Sequence, residues 1–250
     1  EIRQDPGSDP TDACIEPGAD ADLGTPVLQL TWDEASVPDG EEAPDLMEFL
    51  DGHGLEFTHA DGEFVELEES DETRISFTGA FTIIAQLRLD ARPHSRFAII
   101  SKWRFEDLAR SYQLGIDQTQ YPYLLVSPDG YMNDQTTLAS SDVQLRLGQT
   151  AQVAAVFEPG SHMSLYINGE LTRRITEDVP ETVHDSCSSV MVGNVDGNLS
   201  ARGFHGIIGK ILFFDEALEP AVIKTRACLS GLDEPPAQFP PSRPITSEPG

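Results

Sequence analysis

The sequence is short of cysteine, of positive charge, of aromatic rings and of long apolar runs, and each shortage removes a class of protein. Three cysteines in 250 residues, Cys14, Cys187 and Cys228, show no CxxC or zinc-finger spacing, so neither a disulfide-dense mini-fold nor a structural zinc site is indicated. No stretch of eighteen apolar residues occurs, which excludes a membrane-spanning helix. Lys and Arg total 16 against 43 Asp and Glu, and the net charge of −27 repels nucleic acid and anionic membrane surfaces. HExxH, GxSxG and EF-hand spacings are missing, so no zinc-hydrolase, serine-nucleophile or EF-hand signature is present. The 39% hydrophobic content is nevertheless enough for a sizeable core, and a wholly disordered chain is excluded.

The charge that is present is lopsided. Residues 1–72 hold 23 acids and one base, Arg3, whereas residues 73–230 hold 17 acids and 14 bases. A salt-adapted protein spreads its acids over the whole surface, so this acidic third is read as one end or face that meets cations or a basic protein partner. Residues 1–26, with Pro6, Pro10, Pro17 and Pro26 among Asp, Gly and Ser, read as an acidic linker. Residues 231–250 carry six prolines and read as an extended tail, which leaves 27–230 as the folded domain. A chain beginning at Glu1 rather than Met fits a mature secreted protein, and a trimmed one equally.

Between the tails, short runs of period-two alternation or β-branched content are separated by Gly, Pro, Asn and Asp. They predict strands at about 27–32, 55–59, 62–67, 75–78, 81–89, 97–103, 111–116, 122–127, 150–158, 163–168, 171–176, 189–194 and 205–214. Asn168-Gly169 between two such runs predicts a type I′ hairpin, and Ser127-Pro128-Asp129-Gly130 a turn. One helix is predicted at about 217–229, with Leu218, Val222 and Ile223 or Ala221 on its apolar face. So many strands exceed one open sheet, and the fold class is all-β: two packed antiparallel sheets with a short C-terminal helix.

Several of these runs, in order, resemble a known family. Phe81-Thr82-Ile83-Ile84-Ala85-Gln86-Leu87-Arg88, Ile99-Ile100-Ser101-Lys102-Trp103 and Ser111-Tyr112-Gln113-Leu114-Gly115-Ile116 are similar to successive strands of laminin-G-like and pentraxin-like domains of the concanavalin A-like lectin/glucanase superfamily. Val153 to Phe157, Met163 to Gly169, Met191 to Asn194 and Gly206 to Leu218 continue the likeness. Gln86 stands where the family usually has Trp, and Gly209-Lys210 where it has an acidic pair. Gly160-Ser161-His162-Met163 looks like a purification-tag scar, but it falls inside the matching strand-turn-strand unit and is read as native. The resemblance implies a jelly-roll sandwich and a secreted, periplasmic or cell-surface setting.

It also implies a ligand at the loops, glycan or an extracellular protein. Sugar recognition needs aromatic faces and planar polar groups, and Trp103, Tyr121, Tyr123, Tyr131 and Asn133 are the candidates, although Trp103 also suits a core. One calcium ion is the cofactor considered, since it takes oxygen ligands from Asp- and Asn-rich loops. Asn194, Asp196 and Asn198 form one candidate set and Asp129 with Asp134 the other, with simple turn formation as the competing reading of both. Glu66 and Glu68, about 6.6 Å apart along a strand, have a spacing that could suit a two-carboxylate mechanism, but a charged edge explains them as well, and a non-catalytic module is expected. A structural subunit using the acidic region and the Pro-rich tail is the alternative. For the cysteines, Cys187–Cys228 is the preferred disulfide, Cys14–Cys228 the competitor, and three reduced thiols remain open.

Overall fold

The structure is a computed structural model that describes residues 23–33, 45–50, 52–58, 63–67, 75–195 and 203–232. Fourteen strands and one helix lie in these residues: β1 Leu28–Leu30, β2 Asp45–Phe49, β3 Gly52–Thr58, β4 Val65–Leu67, β5 Phe81–Leu89, β6 Phe97–Trp103 and β7 Arg110–Ile116. β8 Pro122–Val126, β9 Thr137–Ser140, β10 Thr150–Glu158, β11 His162–Ile167, β12 Glu170–Ile175, β13 Val190–Val192 and β14 His205–Phe214 complete the strands, and α1 is Pro220–Leu229. One antiparallel sheet has the order β12-β11-β10-β5-β14-β3-β2, with β1 also on β14; the other has the order β4-β13-β6-β7-β8-β9. The all-β sandwich and the C-terminal helix expected from the sequence are therefore present.

A bulge between Ile208 and Ile211 divides β14. Its first half pairs β3 up to Ile208, and its second half pairs β1 from Ile211 to Phe213. Alternation along each strand sends one set of side chains into a core shared by the sheets, where Phe77, Phe81, Tyr112, Phe157 and Phe213 form a run of ring contacts. Each fully buried ring or branched aliphatic there contributes about 1.5–3 kcal/mol of transfer free energy. Burial pushes the Tyr112 hydroxyl far above its ordinary pKa, and that hydroxyl donates to the Ile75 carbonyl.

The eight-stranded sheet is also apolar over part of its outer face. Ile84, Ala154, Val156, Tyr166, Leu212 and Phe214 lie there under Leu218 and Ile223, so α1 seals the face. Ile223 and Ala227 are the buried residues of the helix, while Ala221 is exposed. At the Asn168-Gly169 turn both residues have positive φ, 51° and 80°, as the predicted type I′ turn requires. Gly169 has a second constraint, since a Cβ there would come within 2.8 Å of Lys224 Cα on α1.

The structure departs from the sequence reading at several points. No strand forms at 75–78; Ile75 and Phe77 are buried all the same, as core residues on a segment outside the strands. β2 and β9 have no strand signal in the sequence, because both are short edge strands whose pairing comes from a neighbour rather than from strong alternation. The preferred Cys187–Cys228 disulfide is not formed: Cys187 is an exposed free thiol in the segment before β13, whereas Cys228, on α1, is disulfide-bonded. Cys14 lies outside the described residues, as do most of the 1–26 and 231–250 segments.

Candidate binding site

A sandwich has two open sides, where edge strands of the two sheets face each other. On one side β2 and β3 border the eight-stranded sheet and β4 the six-stranded sheet. Glu48, Glu56, Glu63 and Glu66 belong to these elements or their approaches, so the described part of the acidic third forms one edge of the molecule. Glu66 is tied there, accepting from Arg104 at 3.0 Å and from the Ser189 hydroxyl. That anchoring fits a charged edge better than a catalytic pair; Glu68 lies outside the described residues.

On the opposite side β12 and β9 are the edges. The Asp142 N–H donates to the Thr172 carbonyl, and the Ser141 and Thr172 hydroxyls meet at 2.9 Å, which joins the two sheets. Next to this junction a groove of about 920 Å³ runs between the 134–138 segment and the 173–182 segment. Asp134, Thr137, Arg173, Asp178, Glu181 and Thr182 are among its lining residues. Its walls are fixed from within, because the Thr137 hydroxyl donates to the Asp178 carbonyl at 2.6 Å and the Thr182 hydroxyl to the Thr78 carbonyl at 3.0 Å. Arg173 reaches Asp142 at 3.3 Å in an exposed pair, and such pairs rearrange at little cost when a ligand arrives.

The 128–134 loop continues one wall, and its shape follows from one carboxylate. Asp129 Oδ1 accepts from the Tyr131 N–H at 3.0 Å and the Ser127 hydroxyl at 3.3 Å, while Oδ2 accepts from Asn133 Nδ2 at 2.7 Å. The Asn133 bond, then the Tyr131 bond, hold the Asp129 carboxyl below the ordinary carboxylate range. Gly130, at φ 85°, lets this loop press on the 104–109 loop, since a Cβ there would sit 2.7 Å from Leu108 Cα. Tyr131, Met132, Phe105 and Leu108 are all exposed on these two loops.

The residues expected to bind do not converge on one place. Tyr131, Asn133, Asp129 and Asp134 share the 128–134 loop, whereas Tyr121 lies beyond the opposite end of β8 and is half-buried. Trp103 and Tyr123 are 3% and 1% exposed, packed with Ala98, Leu125 and Val195 on the outward side of the six-stranded sheet, so neither offers a face to a sugar. Gln113 donates to the Tyr123 hydroxyl at 2.6 Å, and the Arg96 guanidinium covers its ring at 5.3 Å. Asn194 is buried, with Oδ1 accepting the Val195 N–H at 2.7 Å; β13 and β8 are separated by β6 and β7, which puts roughly 14 Å of sheet between Asn194 and the Asp129 loop. Asn194 and the Asp129 loop therefore lie apart, and among the described residues no three His, Cys, Asp or Glu side chains come together to hold a metal ion. Asp196 and Asn198 lie outside the described residues.

Residues 61–224 match the Laminin_G_3 family model of the concanavalin A-like lectin/glucanases superfamily. The chain belongs to this family. No curated protein sequence matches it. Among solved structures, the sandwich is similar to the carbohydrate-binding module CBM40 of the Ruminococcus gnavus IT-sialidase bound to α2,3-sialyllactose, at TM-score 0.56 and 15% identity, covering 81% of this chain and 100% of that one. It is similar to domain 4 of the extracellular arabinanase AbnA of Geobacillus stearothermophilus, in complex with arabinotriose, at TM-score 0.55 and 13% identity, over 80% and 87% of the two chains. It is also similar to the binding domain of Paraclostridial Mosquitocidal Protein 1, at TM-score 0.58 and 10% identity, covering 74% of this chain but spanning only 45% of that one. At these identities the likeness establishes the fold. No helix among the described residues is long and apolar enough to cross a membrane.

The groove residues Arg173, Asp178, Glu181 and Thr182 escaped the sequence reading. Exposed polar residues after an edge strand look like any solvated turn. The available signal was the mixed-charge run from Arg173 to Glu181 directly after the Asn168-Gly169 hairpin, which places it beside the 128–138 loop once β9 is recognised.

Proposed function

We propose that this protein is a non-catalytic, extracytoplasmic binding module whose laminin-G-like sandwich holds an oligosaccharide in the groove between β9 and β12. The observation that carries this reading is the groove itself: it is open along its length and its lining alternates carboxylates, guanidinium groups and threonine hydroxyls, the groups that fix sugar hydroxyls. Tyr131 stands exposed on the adjoining loop, where a ring can pack on sugar C–H groups. The sugar-bound modules among the similar structures support the class of ligand.

An oligosaccharide array on the intact protein, repeated with Arg173→Ala and Asp134→Ala, tests the reading. Binding that falls about tenfold or more in both variants supports it; a protein that binds no oligosaccharide, or whose variants bind unchanged, overturns it. A calcium-chelator arm decides whether a calcium site involving Asp196 and Asn198 takes part. A second proposal follows from the acidic edge, where Glu48, Glu56, Glu63 and Glu66 gather away from the groove: this edge docks a basic protein segment. Polylysine binding that weakens steeply with salt is the expected result, and salt-independent association counts against it.

A further inference from the structure

The outer face of the eight-stranded sheet is apolar beneath α1, but at the C-terminal end of that helix a polar row interrupts it. Pairing of β10 with β5 sets Gln152 directly opposite Gln86. The β14 bulge then brings Gly209-Lys210 alongside Gln86. Two recesses of about 200 and 210 Å³ lie over this row and share Gln29, Gln86 and Lys210, so they adjoin as a two-part slot.

Three observations give the slot a chemical character. Gln152 is 1% exposed and lines the slot, yet its Oε1 has no hydrogen-bond partner among the described residues, so it is a buried acceptor open to a donor. Among the described residues the lining includes Lys210, Arg226 and His53 and no Asp or Glu. Lys210 is half-buried and makes no hydrogen bond or ion pair among the described residues. Arg226 is held rigid, its Nε and Nη2 donating to the Leu23 carbonyl at 2.9 and 2.6 Å while its guanidinium lies 4.7 Å from the Phe214 ring centre, so its charge is fixed at the slot.

We propose that this slot is a second binding site, separate from the groove, for a small hydroxylated carboxylate the size of a uronic acid. A neutral sugar satisfies Gln152 but leaves the Lys210 ammonium without a counter-charge, and an inorganic anion that carries no proton pairs with that ammonium but offers Gln152 no donor. A carboxylate set on a ring of hydroxyls meets both needs. Each recess holds roughly seven waters' worth of volume, room for one such ring.

The test is titration of the full chain with D-glucuronate and with D-glucose, followed by isothermal calorimetry. The expected result is saturable glucuronate binding that exceeds glucose binding, falls about tenfold or more in Lys210→Glu and several-fold in Gln152→Leu, and stays unchanged in Arg173→Ala. Circular dichroism and an unchanged unfolding midpoint show that the variants remain folded, and a milder Lys210→Gln replaces any that do not. Absence of saturable binding, equal affinity for glucose, or insensitivity to both slot variants overturns the site. Loss of glucuronate binding in Arg173→Ala also overturns it, by moving that ligand to the groove.

Discussion

The two open sides of the sandwich are built differently. Where β2, β3 and β4 border the sheets, an acidic rim overlies a heavily apolar closure: Phe57 is fully buried, meets Phe204 edge-on at 6.1 Å and lies against Gly193. Where β9 and β12 face each other, the closure is made by hydroxyls and backbone, with Leu138 37% exposed and Leu171 50% exposed. The first side is shut by packing and carries charge on its surface. The second is joined by a few hydrogen bonds and leaves a groove. Packing that excludes water leaves no space between the sheets, so of these two sides only the loosely closed one keeps a groove.

This contrast predicts unequal responses to mutation. Phe57→Ala is expected to cost about 3–5 kcal/mol, because it removes a fully buried ring and leaves a cavity, whereas Leu138→Ala should cost under about 1 kcal/mol. Chemical denaturation of the two variants checks the difference, and equal losses would erase the distinction between the sides. Gly193→Ala comes next, at about 1–3 kcal/mol, since φ is 82° and the new Cβ would lie 2.3 Å from the Phe57 ring. An unfolding midpoint matching the unsubstituted protein would show that Phe57 can shift, and that this side is less tightly closed than described.

On the groove side the effects are smaller and depend on conditions. The Asp129 pKa is depressed in the folded state, so the stability this carboxylate adds is fully present above the ordinary carboxylate pKa of about 4 and is lost as pH falls through the depressed value. The difference between wild type and Asp129→Asn should therefore be constant at neutral pH and vanish in acid. It should also shrink with salt, because the side chain is largely solvated. Urea melts across pH check the sign; a difference that grows in acid contradicts the assigned hydrogen bonds. Cys187 gives the smallest structural effect: being exposed and unpaired, it should take a maleimide label in native buffer without altering the melting temperature, while Cys228 labels only after reduction.

Much of the fold is legible in the sequence, for a physical reason that particular residues make plain. Strands such as Phe81–Leu89 and Thr150–Glu158 are marked by their own composition, and the Asn168-Gly169 turn by the φ values those two residues tolerate. Helix α1 is legible in existence, though its buried residues are Ile223 and Ala227 rather than Ala221, because the sheet beneath selects the face. The site is less legible. The aromatic and turn-forming character of their loop singles out Tyr131 and Asn133, which lie on the loop beside the groove, but Tyr123 and Trp103 carry the same chemistry and are packed. Aromatic content alone does not distinguish a platform from a core.

The sequence by itself determined the quantities that depend on neighbours along the chain: strand alternation, turn chemistry, the lopsided charge and the order of motifs that marks the family. Tertiary structure decided which distant segments meet. It set the short edge strands β2 and β9, the free state of Cys187, the gathering of acids on the edge opposite the groove, and the row of Gln152, Gln86 and Lys210. Each of these is fixed by pairing between elements far apart in sequence, where register and burial, rather than local propensity, set the outcome.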